Sequence, residues 1–594
     1  MSINRNTYLD LKTQYDENYG KLESQHKVIG TIRVILLLIT IYSGYRFLAY
    51  LELLPLIISI VGTFIFLWLM RKHETVLWAK KVNKRLSTIN QQEANFIEKQ
   101  EGPLDTGTAF IDPKHINSFD LDIYGQKSLY HHLNRTATWQ GSRILADQLA
   151  HPDVSAIEPN QVAVKELANK LDWRQRFQAI ATEINDSKEK SEGIIDWASA
   201  EENDLSQFQI VMAYILPALL IITTTAKFGF GLSIPNNVLF LIISGNLVAL
   251  SSHIKRIKIF MDHYSQIDRS LKYYTRLVEL IEQEEFQSDK LKRLQANFLG
   301  KTKTSVLFKQ LSAHFLKMDS VVNLLSPFLN GTVQYHVHVL NSILKWKKQH
   351  HENVTTWLTS IGELEALSSL ANFSANNPTY TFPQLIAKKE VNFKALGHPL
   401  INSKKRICND IHFKENGFVL LTGSNMSGKS TFLRSIGLNM VLARVGAPVC
   451  AHAAEVYPFP VLVSMRQTDS LTDGESYFFA EVKRLQMIVN KLQDQPALIL
   501  LDEILRGTNS DDKRSGTVGY IKKLLSHNAM GIIATHDLSV CEITADYPEK
   551  LTNKHFEVEI TDDELHFDYK LRDGICKNKS ATFIMKKMNI VNEV

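Results

Sequence analysis

Gly417-Phe418-Val419-Leu420-Leu421-Thr422-Gly423-Ser424-Asn425-Met426-Ser427-Gly428-Lys429-Ser430-Thr431 is the stretch whose reading decides the fold. The apolar run Phe418–Leu421 predicts a buried strand, and the residues after Gly428 predict a helix. The spacing Gly-x4-Gly-Lys-Ser therefore falls in a strand-to-helix turn, the context a phosphate-binding loop requires. There, consecutive backbone N–H groups curl around a β-phosphate, Lys429 reaches the β and γ oxygens, and the Ser430 hydroxyl is offered to Mg2+. The positive end of the following helix adds to the anion site.

Two further segments repeat the design of an apolar strand with a polar tip. Ala497-Leu498-Ile499-Leu500-Leu501-Asp502-Glu503 is an unbroken run suited to a buried parallel strand, ending in two carboxylates where ligands collect in α/β sheets. Asp502 is placed to hold the Mg2+ shell, and Glu503 to polarise the attacking water. In Gly531-Ile532-Ile533-Ala534-Thr535-His536-Asp537, His536 is placed to sense a γ-phosphate. An isolated Asp-Glu pair is usually a solvated strand end and a lone histidine usually structural. Three tips converging on one loop reverse both readings.

Outward from this core, short apolar runs alternate with helical spacing from Thr379 to Phe567, which assigns residues 379–594 to an α/β domain of P-loop NTPase type. Residues 121–375 have amphipathic helical spacing and predict an all-α region. Residues 103–120, with Pro103, Gly107 and Asp112-Pro113, read as a linker. Residues 1–102 are helical and carry the apolar runs 34–50 and 53–70, and a second pair, 208–226 and 234–250, interrupts the all-α region. Each run approaches the roughly 20 residues that cross a bilayer. Four transmembrane helices in two hairpins are thus predicted, and Arg46 and Glu52 at the first tip are expected to pair or to snorkel to the far interface. Lys27 and Arg33, Arg71 and Lys72, and Lys255, Arg256 and Lys258 flank the spans as cytoplasmic residues do. The expected location is the inner or plasma membrane, multi-pass, with the ATP site and the helical region in the cytoplasm.

Composition adds exclusions. An excess of 67 basic over 62 acidic residues, +5 in 594, is too small to mark a nucleic-acid binder. Cys408, Cys450, Cys541 and Cys576 form no Cys-x-x-Cys pair, so no zinc site and no disulfide framework is expected. Lys345-Trp346-Lys347-Lys348 is a local basic patch that suits a phosphate backbone, a solvated helix face or a membrane surface.

The loop with its internal Asn425-Met426, together with Asp502-Glu503-Ile504-Leu505-Arg506-Gly507-Thr508, resembles the MutS mismatch-repair ATPases. The likeness continues through Gly397-His398-Pro399, Asn409-Asp410 and Tyr569-Lys570-Leu571, and reaches Leu133-Asn134-Arg135-Thr136-Ala137-Thr138-Trp139-Gln140-Gly141 in the helical region. It implies ATP as nucleotide with Mg2+, a MutS-like core and lever region, and a DNA partner. Ser476-Tyr477-Phe478-Phe479-Ala480-Glu481 is similar to the signature whose serine reaches the γ-phosphate in the partner subunit. The resemblance therefore implies a homodimer with composite ATP sites and a catalytic role for Ser476. The mismatch-binding and clamp domains of the family have no counterpart here. Phe96-Ile97-Glu98 matches the letters of the family's DNA wedge, yet it lies on a charged helix and reads as coincidence.

Two functions fit these features. One is a membrane-anchored ATPase of mismatch-repair type that engages DNA and switches a dimer with ATP. The alternative is a membrane-associated ATPase clamp acting on a protein or membrane partner without mismatch recognition. An ABC exporter is disfavoured, because the spans are few and divided and no Leu-Ser-Gly-Gly-Gln signature is present.

Overall fold

The computed structural model describes residues 3–576 apart from 100, 101, 103, 203, 320–325, 425, 467–476, 507, 528, 562 and 563. Two helices, α1 (Arg5–Tyr50) and α2 (Leu53–Lys99), pack along one another as a hairpin. Leu51 closes α1 in the left-handed region, its N–H bonded to Phe47 O at 2.8 Å, and Arg46 pairs with Glu52 at 3.0 Å across the tip. The apolar run forms a continuous helix with the polar segment on either side, so the hairpin projects from a base at which Tyr15, Leu86 and Ile89 meet Ala179. Toward the tip, Leu38, Leu48 and Phe64 are exposed.

Short helices α3 (Leu129–Leu133), α4 (Trp139–Ala150), α5 (Ile157–Ala168), α6 (Leu171–Ile184) and α7 (Lys188–Ser199) precede a second apolar hairpin, α8 (Gln207–Phe228) and α9 (Asn236–Ser251). The helical region resumes with α10 (Ile254–Gln283), α11 (Asp289–Ala296), α12 (Thr304–Asp319), α13 (Ser326–Val333) and α14 (Tyr335–Asn376). At 42 residues, α14 is about 63 Å long and touches most of the other helices. α13 docks on the second hairpin, where Asn246 donates to Gly331 O at 2.9 Å and accepts from Gln334 Nε2 at 2.8 Å.

The expectation of four spans is met only in part. Among the described residues three helices, α1, α2 and α8, are long and apolar enough to cross a membrane. The fourth, α9, has 16 residues and rises about 24 Å, short of a hydrocarbon core of about 30 Å. Pro235 at its N-cap and Ser252 at its C-cap bound it.

Residues after 376 form mixed sheets. β1 (Gln384–Leu385), β2 (Val391–Leu396), β3 (Asn409–Phe413) and β5 (Ala453–Val456) make a four-stranded sheet in the order β1-β5-β2-β3. A six-stranded sheet has the order β10-β9-β4-β8-β7-β6, built from β4 (Phe418–Thr422), β6 (Val461–Ser464), β7 (Leu498–Asp502), β8 (Met530–Ala534), β9 (Leu551–Thr561) and β10 (Glu564–Asp573). All its neighbours are parallel except the β9/β10 hairpin. Alternation explains its unbroken apolar strands: Val419, Leu421, Leu498 and Leu500 face α15 (Lys429–Arg444), while Phe418, Leu420, Ile499 and Leu501 join the cluster of α16 (Tyr477–Asp494) and α17 (Ser510–Ser526). Gly531 is required at the sheet centre, because a Cβ there would lie 2.1 Å from Ile499 O.

Residues 116–123 are docked between the helical region and the sheet. Leu121 and Ile123 are fully buried, and Asp120 accepts from Met465 N, Arg466 N and Arg484 Nη2. Phe96 is buried against His132, with the Arg135 guanidinium 4.7 Å from its ring centroid, so this side chain packs in the core. Trp346 is buried and donates to Leu307 O, while Lys347 and Lys348 pair with Glu202 and Asp204 at 2.8 and 2.5 Å. Two of the three lysines in the basic patch are thus already neutralised.

Candidate functional site

Strand register assembles the site. Leu421 on β4 and Asp502 on β7 both pair with Ala534 on β8, so three parallel strands end at one level. The ladder runs one residue further on each side: Thr535 N donates to Leu421 O and Glu503 N donates to Ala534 O, both at 2.9 Å. Gly423, Glu503 and His536 therefore leave the sheet side by side, at the end where ligands bind in open parallel sheets.

The loop after β4 turns into α15 at Gly428, whose φ of 98° only glycine adopts without strain. Lys429, buried at the first position of the helix, curls back so that Nζ donates to Gly423 O at 2.9 Å and Ser424 O at 3.0 Å. Burial away from water lowers its pKa. Ser430 Oγ donates to Asp502 Oδ2 at 2.5 Å. The other carboxylate oxygen, Asp502 Oδ1, is buried without a hydrogen-bond partner, as are Ser424 Oγ and Ser427 Oγ. Unsatisfied buried oxygens are costly unless a ligand supplies what they lack. Ser430 and Asp502 form the hard oxygen donor set that Mg2+ takes beside phosphate.

Glu503 is held on both sides. His536 Nε2 lies 2.5 Å from Oε1 and Arg506 Nη2 lies 3.0 Å from Oε2. The His536 contact leads the causes that depress the carboxyl to about 2, with Arg506 and Lys429 adding to it. Lys429 Nζ is also 3.2 Å from His536 Nε2, and one nitrogen cannot both donate to Glu503 and accept from Lys429. An ionised Glu503 favours the donor form. The turn carrying these groups is strained: Glu503 and Leu505 have φ of 50° and 58°, in the left-handed region. Glu481 on α16 holds it in place, accepting from Leu505 N at 2.7 Å and Arg506 N at 3.1 Å.

A cavity of about 470 Å³ opens from this cluster toward the four-stranded sheet, with His398, Ile407, Asn409 and Tyr569 on its far wall. Asn409 ties the wall together, donating to Tyr569 O at 3.0 Å and accepting from Leu571 N at 2.9 Å. Burial pushes His398 down to about 4, aided by Arg434 and Arg406. Segments that lie far apart in sequence, 397–399, 409–410 and 569–571, thus meet at one opening.

Of the candidates read from sequence, Ser424, Met426, Ser427, Gly428, Lys429, Ser430, Thr431 and Glu503 line this cavity. Gly423, Asp502 and His536 contact it through Lys429, Ser430 and Glu503. Asn425 and Ser476 lie outside the described residues. Arg506 and Glu481 gain roles on Glu503 and its turn that spacing alone did not assign. The i,i+3 distance from Glu503 to Arg506 was the available signal, but it faces inward only because the turn is left-handed.

Residues 419–594 match the family model for MutS domain V. The DNA mismatch repair protein MutS of Thermotoga maritima is 24% identical over 499 residues, covering 79% of this chain and 62% of that protein. MutS protein homolog 4 of Homo sapiens is 32% identical over 194 residues, covering 31% and 20%. The DNA mismatch repair protein MutS of Methanosarcina acetivorans is 32% identical over 242 residues, covering 39% and 27%. The chain spans less than two thirds of the length of these relatives.

Proposed function

Because this chain belongs to the MutS family through its domain V, we propose that it is a membrane-anchored, Mg2+-dependent ATPase with a P-loop NTPase site at the tips of β4, β7 and β8. The observation that carries the reading is that Lys429, Ser430 and Glu503 line one cavity, with Asp502 and His536 bonded to Ser430 and Glu503 behind them, beside unsatisfied oxygens of the loop and of Asp502. Lys429 exchanges its two backbone acceptors for β and γ oxygens, and the loop N–H groups cradle the β-phosphate. Mg2+, when bound by Ser430 and Asp502, neutralises charge on the phosphate oxygens. Glu503, held ionised by its cationic surroundings, acts by orienting and polarising the attacking water. Arg506 or His536 must first release one of its oxygens. His536 then turns toward the γ-phosphate, coupling water orientation to nucleotide occupancy.

The family resemblance supports a homodimer in which Ser476 completes the partner's site, and a mismatch-repair-related DNA partner. The apolar hairpins support anchoring in the inner or plasma membrane, with α9 completing a fourth crossing and the ATP site on the cytoplasmic side. A second reading, an ATP-driven clamp on a protein or membrane partner, is favoured by the pairing of Lys347 and Lys348 with Glu202 and Asp204, which removes cations a DNA backbone would need.

Lys429→Ala tests the shared part of both readings. It is expected to abolish ATP binding by the full chain in detergent; unchanged binding would refute the site. Titration with matched and mismatched duplexes across a salt series separates the two. A steep salt slope with mismatch preference supports repair, and no binding at physiological salt supports the clamp.

A further inference from the structure

The second large cavity of the nucleotide-site domain, about 480 Å³, lies at the opposite end of the parallel strands, where β6 and β7 begin. Lys114 and His115 just before the docked segment, His151 after α4, Arg444 from the last turn of α15, and Lys491 on α16 surround it. The 16 residues of α15 put Arg444 about 22 Å from Lys429, so the two cavities are separate.

Arg444 is anomalous. Arg135 and Arg174 are buried and Arg484, like Arg444, is half-buried, and each of the three ends on acceptors: Glu93, Asn372 and Asp120 respectively. Arg444 has no ion pair among the described residues, and its Nε is buried without a hydrogen-bond partner. Loss of water with no compensating carboxylate pushes its pKa down to about 10. Its neighbours do not offset it. Lys114 and Lys491 carry no ion pair among the described residues, and Asp112 is the one carboxylate on the wall. His115 Nδ1 accepts from Ser118 N at 3.2 Å, which leaves Nε2–H as a donor, and the ring meets His151 edge-on at 5.3 Å.

Three cations against one carboxylate, with a guanidinium fork and an imidazole N–H, make a compact oxyanion site. We propose that this cavity binds a small phosphate-bearing ligand, with Arg444 as its principal contact and Lys491, Lys114 and His115 around it. A guanidinium matches phosphate geometry with two parallel hydrogen bonds, and the volume suits a phosphorylated metabolite. The inference is independent of what the strand-tip site binds.

Inorganic phosphate is the probe, titrated into the full chain in detergent with Mg-ADP present throughout, at constant ionic strength. Calorimetry and thermal unfolding are read together. The wild type is expected to bind phosphate at a saturable site and to unfold at higher temperature with it. Arg444→Met is expected to lose that response while its ligand-free unfolding temperature holds or rises, since a half-buried charge with an unpartnered Nε has been removed. Lys114→Gln/Lys491→Gln, changed on the cavity rim, is expected to weaken phosphate at least tenfold and gives the same test should Arg444→Met fail to fold. No phosphate response in the wild type, or one unaltered by these substitutions, overturns the proposal. Arg444-dependent binding of a short DNA duplex without phosphate binding also overturns it, by giving the cavity to a nucleic-acid backbone.

Discussion

Two carboxylates, Glu503 and Glu365, sit in polar clusters of opposite design. Glu503 stands beside a cavity, in a strained turn, with unpartnered oxygens of Asp502, Ser424 and Ser427 nearby. Glu365 lies on the inner face of α14, wholly buried, accepting from Ala137 N at 2.8 Å, Thr138 N at 3.2 Å and the Thr138 hydroxyl. Around it Arg135 forks onto Glu93, Asn376 donates to Glu93 at 3.1 Å, and Tyr8 donates to Asn376 at 2.7 Å. This second cluster joins α1, α2, α4 and α14, the junction between the first apolar hairpin and the helical region. Their carboxyls move oppositely: contacts led by His536 hold Glu503 at about 2, whereas burial raises Glu365 to about 7. The binding site keeps unmet capacity on a carboxylate, whereas both carboxylates of the junction have every oxygen satisfied.

The largest effect expected from breaking this contrast is on activity. Asp502→Ala should lower Mg2+-dependent ATP turnover at least ~100-fold while the unfolding temperature holds or rises, because an unpartnered buried oxygen is removed. Enzyme assay beside calorimetry checks both. At the junction the order inverts. Glu93→Ala strands a buried guanidinium and should cost about 3–5 kcal/mol in denaturant unfolding.

The pH dependence of Glu365 sharpens the comparison. Its folded pKa of about 7 exceeds the ordinary 4.5, so its contribution is fully present below 4.5 and is lost as pH rises through 7. Stability should fall by roughly 2–3 kcal/mol from this group over that range. Glu365→Gln, which keeps an acceptor for the two backbone N–H groups, should flatten the curve measured by urea unfolding at pH 5 and pH 8. The smallest effect belongs to the exposed pair of Lys348 and Asp204, where Lys348→Ala should change stability by less than ~1 kcal/mol.

The difference between the clusters also explains what the sequence made legible. Lys429, Ser430, Asp502 and Glu503 were readable because a phosphate loop and strand tips are local patterns, and the apolar alternation that buries β4 and β7 fixes which residues emerge. The first hairpin was readable from hydropathy, and α9 fell short because its apolar run is bounded by Pro235 and Ser252. The junction was not readable. Glu93, Arg135 and Glu365 meet only after helices far apart in sequence pack together, and no spacing records that. Lys347 and Lys348 left three readings open for the same reason, since Glu202 and Asp204 lie more than a hundred residues away.

ATP binding and hydrolysis by the full chain, measured side by side for the wild type and Glu503→Gln, test the central claim most directly. Wild-type turnover that requires Mg2+, and a variant that binds ATP with unchanged affinity but does not turn it over, is the predicted result. Equal turnover by the two proteins would contradict the assignment of the strand-tip cluster as the hydrolytic site.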